Sequence, residues 1–323
     1  MGRFQYYRRI ASAYLAPRGT HLSFWHETPA ENPRASVSQL GPYYMTFYAK
    51  ADYAGPHDDA GIPMLDYRGK IGRQYNPIAI AQWGSGNYNR FTETCDRSRK
   101  LKFLAASDWL CHNLQPNSSG LMVWNHHFDW EYRSTLRSPW YSGLAQGQGV
   151  SLLLRAYRET ANSKYQESAR LAMEALQAPT DRGGVTFTDA HEDIWLEEYI
   201  VDPPTHILNG FLWALWGIYD HWLATQEVAS HTFFKRATAT LLRNLHAYDL
   251  GFWSLYEQSG TRLKMIASPF YHRLHIVQLR ILHRMTGEDE FARVADRWES
   301  YTLSRMRRTR ALVYKGAFKL CYY

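Results

Sequence analysis

From about Asn76 onward, apolar residues recur along this chain at a helical period. Ile207, Leu208, Phe211, Leu212, Leu215, Ile218, Tyr219 and Trp222 fall on the positions that give a helix a wide buried face. The same period predicts helices over Ala145–Tyr157, Tyr165–Leu176, Phe233–Leu245, His275–Met285 and Phe291–Leu303. Upstream the pattern changes: Pro, Gly and Tyr interrupt it, Pro42–Tyr48 alternates like a strand, and Gly55-Pro56 and Gly61–Pro63 mark turns. Residues 1–74 are therefore expected to form an irregular, partly β arm packed on a helical body.

The helical part repeats about every 64 residues, a period that signals stacked units. Gln82, Gln146, Asn209 and His275 each open one unit. After the last three comes an aromatic or Leu-rich helix, then a break such as Glu159–Asn162 or Thr286–Asp289, then a second helix. A helical hairpin cannot bury its apolar face alone, so neighbouring hairpins must share a core. The fold expected is mainly α: an (α/α) toroid or barrel of four hairpins over residues 75–310, followed by a tail over 311–323. Leu121–Trp124, Gly183–Phe187 and Gly251–Tyr256 are expected as short strands or β-hairpins crowding one mouth.

Composition narrows the function. The chain has 323 residues, 15% of them aromatic, and a formal net charge of +7. Rings on this scale either fill helix seams or line a groove, where the flat faces of sugars stack on Trp and Tyr. The positive charge favours an anionic partner. The one dense basic run, Arg305–Arg310, is expected as a solvated helix end facing the negative pole of the dipole. No zinc-finger, RNA-recognition or basic-zipper spacing is present, so nucleic acid is the weaker partner. Cys95, Cys111 and Cys321 are too scattered for a disulfide framework, and His126-His127 alone does not make a zinc site. Phosphate-binding glycine loops, dinucleotide fingerprints and nucleophile elbows are missing too. No metal or cofactor is expected. Without a signal-peptide core or a bilayer-length apolar run, the chain is expected to be soluble and cytoplasmic.

The candidate chemistry lies between the repeats. Glu197 and Glu198 sit among Trp195, Leu196 and Tyr199, which makes a surface loop improbable. In an extended stretch adjacent side chains point to opposite faces, so one carboxylate faces a cavity and the other caps or pairs elsewhere. A partly desolvated carboxylate has a raised pKa and becomes a usable base. Tyr271 and His272 precede the fourth opener, with Arg273 and His275 beside them as groups that can polarise a phenol. The polar openers Gln82, Gln146, Gln148, Asn209, His275 and Gln278 either satisfy one another between helices or ring a cavity whose helix N-termini favour anions.

Several longer stretches carry a resemblance. They are Tyr75–Gly84, Trp140–Gln148, Leu196–Tyr199 with Leu208–Phe211, Tyr248-Asp249 with Tyr256, Tyr271–Leu279 and Arg297–Tyr301. In this order they are similar to the C-terminal catalytic region of the D-glucuronyl C5-epimerases, which act on heparan sulfate and heparin precursors. The resemblance implies an (α/α) barrel and cofactor-free inversion at C5 of a hexuronate within a heparosan-like polymer. It places Glu198 and Tyr271 on acid/base positions, and Tyr199, Asn209 and Tyr256 on substrate positions. Tyr141, Gln146, Gln82, His272, His275 and Arg262 are further substrate-binding candidates. Two departures stand out: Ser268–Phe270 replaces an Arg-Trp-Asp of animal members, and Ser259 replaces their Arg.

The chemistry agrees with that implication. The C5 proton of a glucuronate lies α to a carboxylate, so its removal builds a dianion that needs cations or hydrogen bonds. One carrier must take a proton on one ring face while another delivers one on the opposite face. Arg155, Arg262, Lys264 and Arg273 are the candidates for neutralising the carboxylate. Two alternatives begin from similar substrates: a uronate lyase or unsaturated-uronyl hydrolase with a toroid fold, and a non-catalytic scaffold for anionic glycans. A homodimer is among the states the chain is compatible with.

Overall fold

The computed structural model describes residues 21–322. In chain order the helices are α1 (His21–Trp25), α2 (Tyr48–Ala51), α3 (Pro77–Thr94), α4 (Arg97–His112), α5 (Gly143–Thr160), α6 (Ser163–Gln177), α7 (Leu208–Thr225), α8 (Val228–Asn244), α9 (Pro269–Thr286), α10 (Asp289–Leu303) and α11 (Arg305–Tyr322). Four antiparallel two-stranded sheets punctuate them: β1 (Leu65–Asp66) with β2 (Arg73–Gln74), β3 (Leu114–Pro116) with β4 (Met122–Trp124), β5 (Trp130–Glu131) with β6 (Thr135–Leu136), and β7 (Thr186–Thr188) with β8 (Ile194–Leu196).

Local chemistry sets the helix ends. Asn76 caps α3 by accepting from the amides of Ile78 and Ala79, with Pro77 behind it. Ser142 caps α5 through Ala145, and Ser268 caps α9 through Tyr271, again with a Pro at the first helical position. At the far end, α3, α5, α7 and α9 all stop on a left-handed residue: Cys95, Ala161, Gln226 and Gly287. Each then turns straight into its partner helix, so the repeat seen in the sequence is also a repeat of caps. Only the fourth uses the glycine that this conformation favours.

α3, α5, α7 and α9 form an inner arc, and α4, α6, α8 and α10 pack outside their own partners. α3, α5 and α7 are buried on nearly every face over their first three turns, whereas α9 and the outer helices bury a stripe. The expected α-rich toroid of four hairpins is the architecture found. α5 and α7 approach so closely that a Cβ on Gly217 would stand 2.4 Å from the Gly147 carbonyl oxygen. No side chain can yield there, because the obstacle is backbone. Gly217→Ala is expected to cost at least about 1–3 kcal/mol by overpacking, read as a lower urea midpoint.

The upstream arm plugs the centre of the arc. Pro42–Tyr48 is not a strand: only Met45 bridges, to Glu31, and α2 begins at Tyr48. The alternation failed because Tyr43, Tyr44 and Phe47 all turn inward, packing on one another and on Trp213 and Trp216. Arg155 fastens this plug, donating to the Gly41 carbonyl at 2.7 Å and to Asp220 at 2.6 Å. The Tyr44 hydroxyl donates to the other Asp220 oxygen at 2.6 Å.

Two further expectations differ from the structure. Gly251–Tyr256 forms isolated bridges from Asp249 to Ser254 and from Leu255 to Ile266, not a hairpin of named strands. The run Arg305–Arg310 opens α11 instead of ending a helix, because Ser304 is extended and stops α10. Its cations find aromatic faces, Arg307 over Tyr301 and Arg310 over Phe252. α11 runs through the boundary expected at residue 310 and buries Ala311 and Phe318.

Candidate active site

A cavity of about 240 Å³ opens at the N-terminal ends of the inner helices. The arm covers one side through Trp25, Glu27, Phe47 and Lys50. Trp130 and Trp140 line another, and Glu198, Asn209, Trp213 and Tyr271 close the rest. Its walls are mostly apolar and rich in aromatic rings, with polar groups at a few points, the usual character of a small-molecule site.

Glu197 and Glu198 follow β8 directly and point apart. Glu197 accepts from the backbone and ring nitrogens of His206, which stacks on Trp195. Glu198 turns to the cavity and rests on the first turn of α7. Gly210 makes that possible, since a Cβ there would lie 2.4 Å from Glu198 Oε2. The Asn209 amide donates to the same oxygen at 3.2 Å. Burial pushes the Glu198 carboxyl up to about 8, against the pull of hydrogen bonds from Tyr199 and Asn209, and the charges of Glu257 and Glu197 push it further the same way. A carboxylate held there is a far stronger base than one in water.

Tyr271 sits in the first turn of α9, its amide held by the Ser268 cap. Its ring packs edge-on against Tyr256 at 4.9 Å and Phe270 at 5.1 Å. Burial, with the nearby Glu198 charge adding to it, drives the phenol well above the ordinary tyrosine range, so it is a neutral O–H. Tyr199 and Tyr256 are driven up for the same reasons.

Of the residues singled out in the sequence, Glu198, Tyr271, Tyr199, Asn209 and Gln82 share this cavity wall, and Tyr256 stands directly behind Tyr271. Gln82 Oε1, Asn209 Oδ1 and Trp213 Nε1 are buried there without a hydrogen-bond partner among the described residues. The others lie elsewhere. Gln146 accepts from the Trp124 amide and donates to the Met122 and Ala172 carbonyls, so it joins elements. His272 stacks on Trp253 and contacts Ser254 and the Trp298 carbonyl; His275 shares the Ser254 hydroxyl. Burial lowers both imidazoles, His272 to about 4. Tyr141 donates to the Gly183 carbonyl at 2.7 Å. Arg262 is exposed. The polar openers thus divide: Gln146 and His275 serve packing, Gln82 and Asn209 face the cavity.

The carboxylate-neutralising candidates from sequence are absent from this wall. Arg155 is committed to Asp220, and Arg273 is exposed. Lys264 donates its amide to the Tyr314 hydroxyl at 2.9 Å. The cation in the wall is Lys50, on α2. The sequence signal for it was slight, one lysine inside the aromatic run Tyr43–Tyr53. At Ser259, where animal family members were expected to carry an arginine, the hydroxyl meets the guanidinium of Arg133, which also pairs with buried Glu257. Among the described residues no cluster of three or more His, Cys, Asp or Glu is arranged to hold a metal ion. No described helix is long and apolar enough to cross a membrane.

A D-glucuronyl C5-epimerase of Caenorhabditis elegans is 28% identical over 218 residues, 63% of this chain and 35% of that protein. An uncharacterized protein of Methanocaldococcus jannaschii is 27% identical over 180 residues, 55% of this chain and 57% of that one. The chain therefore spans less than two thirds of the length of either relative. A solved polysaccharide lyase aligns with a TM-score of 0.40 and 12% identity, covering 87% of this chain and 44% of that one. The sequence profile of the D-glucuronyl C5-epimerase C-terminus matches residues 117–300, more than half of the chain, and the protein belongs to that family.

Proposed function

We propose that this chain epimerises D-glucuronate to L-iduronate at C5 within a heparosan-like polysaccharide, with Glu198 and Tyr271 as its two proton carriers. The observation that carries this reading is a buried carboxylate and a neutral phenol, held on separate elements, lining one aromatic cavity. In the forward direction ionised Glu198 takes the C5 proton. The C–H electron pair moves into the C5–C6 bond and leaves a dianion on the sugar carboxylate. The Tyr271 hydroxyl then delivers its proton to the opposite face of C5, and the pair returns to form the new C–H bond. Solvent exchange restores the protonation of both side chains. Tyr199, Asn209 and Gln82 supply hydrogen bonds to the sugar, and Trp140 and Trp213 supply stacking surface.

Incubation with heparosan in heavy water tests the reading. Deuterium is expected at C5 of uronate residues, with no shortening of the polymer and no C4–C5 double bond. Chain cleavage with a new ultraviolet absorbance would establish a lyase instead, and retention of the polymer without exchange would establish a binding scaffold. Tyr271→Phe is expected to reduce exchange by about 10²–10⁴-fold, the range for losing one positioned proton carrier, while polymer binding stays within a few fold.

A further inference from the structure

Lys50 is 5% exposed, yet no carboxylate lies within ion-pairing distance of its ammonium among the described residues. Its ammonium donates to the Phe24 carbonyl at 2.6 Å, which uses one of three donors. Around it stand the faces of Phe24 at 4.4 Å, Trp25 at 5.5 Å and Phe47 at 5.7 Å. The nearest acid of the wall, Glu27, spends its oxygens on the amides of Ala49 and Lys50, at 2.8 and 3.3 Å. Burial draws the ammonium down to about 8, with Glu27 opposing. A buried ammonium with no carboxylate in direct contact is costly, and an anion reaching it from the cavity would offset that cost.

The segment that presents it is fixed at a cost of its own. Phe47 holds a left-handed conformation at φ 50° immediately before α2, a strained state for a bulky residue. The Asn89 side chain ties the arm down just upstream, accepting from the Tyr43 amide and donating to the Met45 carbonyl. Among the described residues of the cavity wall, Lys50 is the one Lys or Arg; the wall's other charged side chains are the carboxylates of Glu27 and Glu198.

We propose that Lys50 binds the carboxylate of the sugar acid in this cavity and stabilises the second negative charge that gathers on it as the C5 proton leaves. This rests on the epimerase reading for its catalytic half. The binding half stands on the unpaired cation alone. Lys50 would act as one preorganised electrostatic contact, of the kind whose removal costs about 10²–10³-fold in turnover.

The test compares wild type, Lys50→Met and Lys50→Arg with two probes: a heparosan tetrasaccharide and the same tetrasaccharide with its carboxyls reduced to alcohols. By calorimetry, wild type should bind the acid at least about tenfold more tightly than the reduced sugar, and Lys50→Met should lose that preference while keeping its affinity for the reduced form. C5 exchange on the acid should fall by about 10²–10³-fold in Lys50→Met and be partly restored in Lys50→Arg. Because Met replaces an unpaired buried charge with an apolar chain of similar length, its melting temperature should hold or rise. Three results would overturn the proposal: an acid preference retained in Lys50→Met, equal loss of affinity for both probes, or wild-type exchange in the variant. Absence of exchange in wild type, with the acid preference still dependent on Lys50, would sink the epimerase reading and leave Lys50 as the carboxylate contact.

Discussion

Glu198→Gln should reduce C5 exchange by about 10²–10⁴-fold and leave polymer affinity nearly unchanged. The amide keeps an oxygen to accept from Asn209 at the position of Oε2 and keeps the volume over Gly210. It removes only the proton-accepting function. The wild-type pH profile follows from the same carboxyl. With Glu198 as the proposed base, activity at limiting substrate should rise with pH to a shoulder near 8, where burial has moved this group. Stability runs the other way. The folded protein holds the Glu198 proton up to about 8, whereas the unfolded chain releases it near 4.5, the ordinary glutamate range. Between those values the folded state binds more protons, so stability falls as pH rises through the window. Glu198→Gln should therefore show a melting-temperature advantage that is absent below about pH 4 and full above about pH 9. A variant whose melting curve tracks wild type at every pH would refute a buried, ionising Glu198.

The largest stability effect should come from the Arg155–Asp220 pair, both members of which are fully buried. Arg155 reaches from α5 to the Gly41 and Ser151 carbonyls, and Asp220 on α7 receives both the guanidinium and the Tyr44 hydroxyl. Asp220→Ala strands a guanidinium in the core and leaves the Tyr44 hydroxyl without its acceptor. The expected cost is about 3–5 kcal/mol, the usual penalty for halving a buried ion pair. The double change Arg155→Met with Asp220→Leu removes both charges and should recover most of that loss. Denaturant midpoints decide the matter: a single change as mild as the double one would mean the pair is not desolvated.

Much of this fold was legible along the chain because its helices announce themselves. α7 carries a period of bulky apolar residues that no strand would tolerate, and the hairpin breaks recur at fixed intervals. Glu197 and Glu198 were readable as a divided pair, since alternation along an extended stretch forces adjacent side chains apart. The arm was not legible. Tyr43, Tyr44 and Phe47 look like strand positions, but their rings find partners on α7 more than 160 residues onward, and local pattern carries no trace of that. Lys50 was missed for the same reason. Gln146 and His275 show the converse limit. A buried polar side chain that joins elements and one that faces a ligand give the same sequence signal, and only their hydrogen-bond partners separate them.

The distribution of deuterium at low conversion tests the two-carrier account most directly. Wild type is incubated in heavy water with a polymer containing only glucuronate, and the reaction is stopped after a few per cent turnover. Two carriers on opposite ring faces deliver solvent label to one face only. The account therefore expects deuterium in the new iduronate residues and almost none in the glucuronate that remains. Equal label in both epimers from the earliest times would mean a single group handles both faces, and the assignment of Glu198 and Tyr271 as partners would fall.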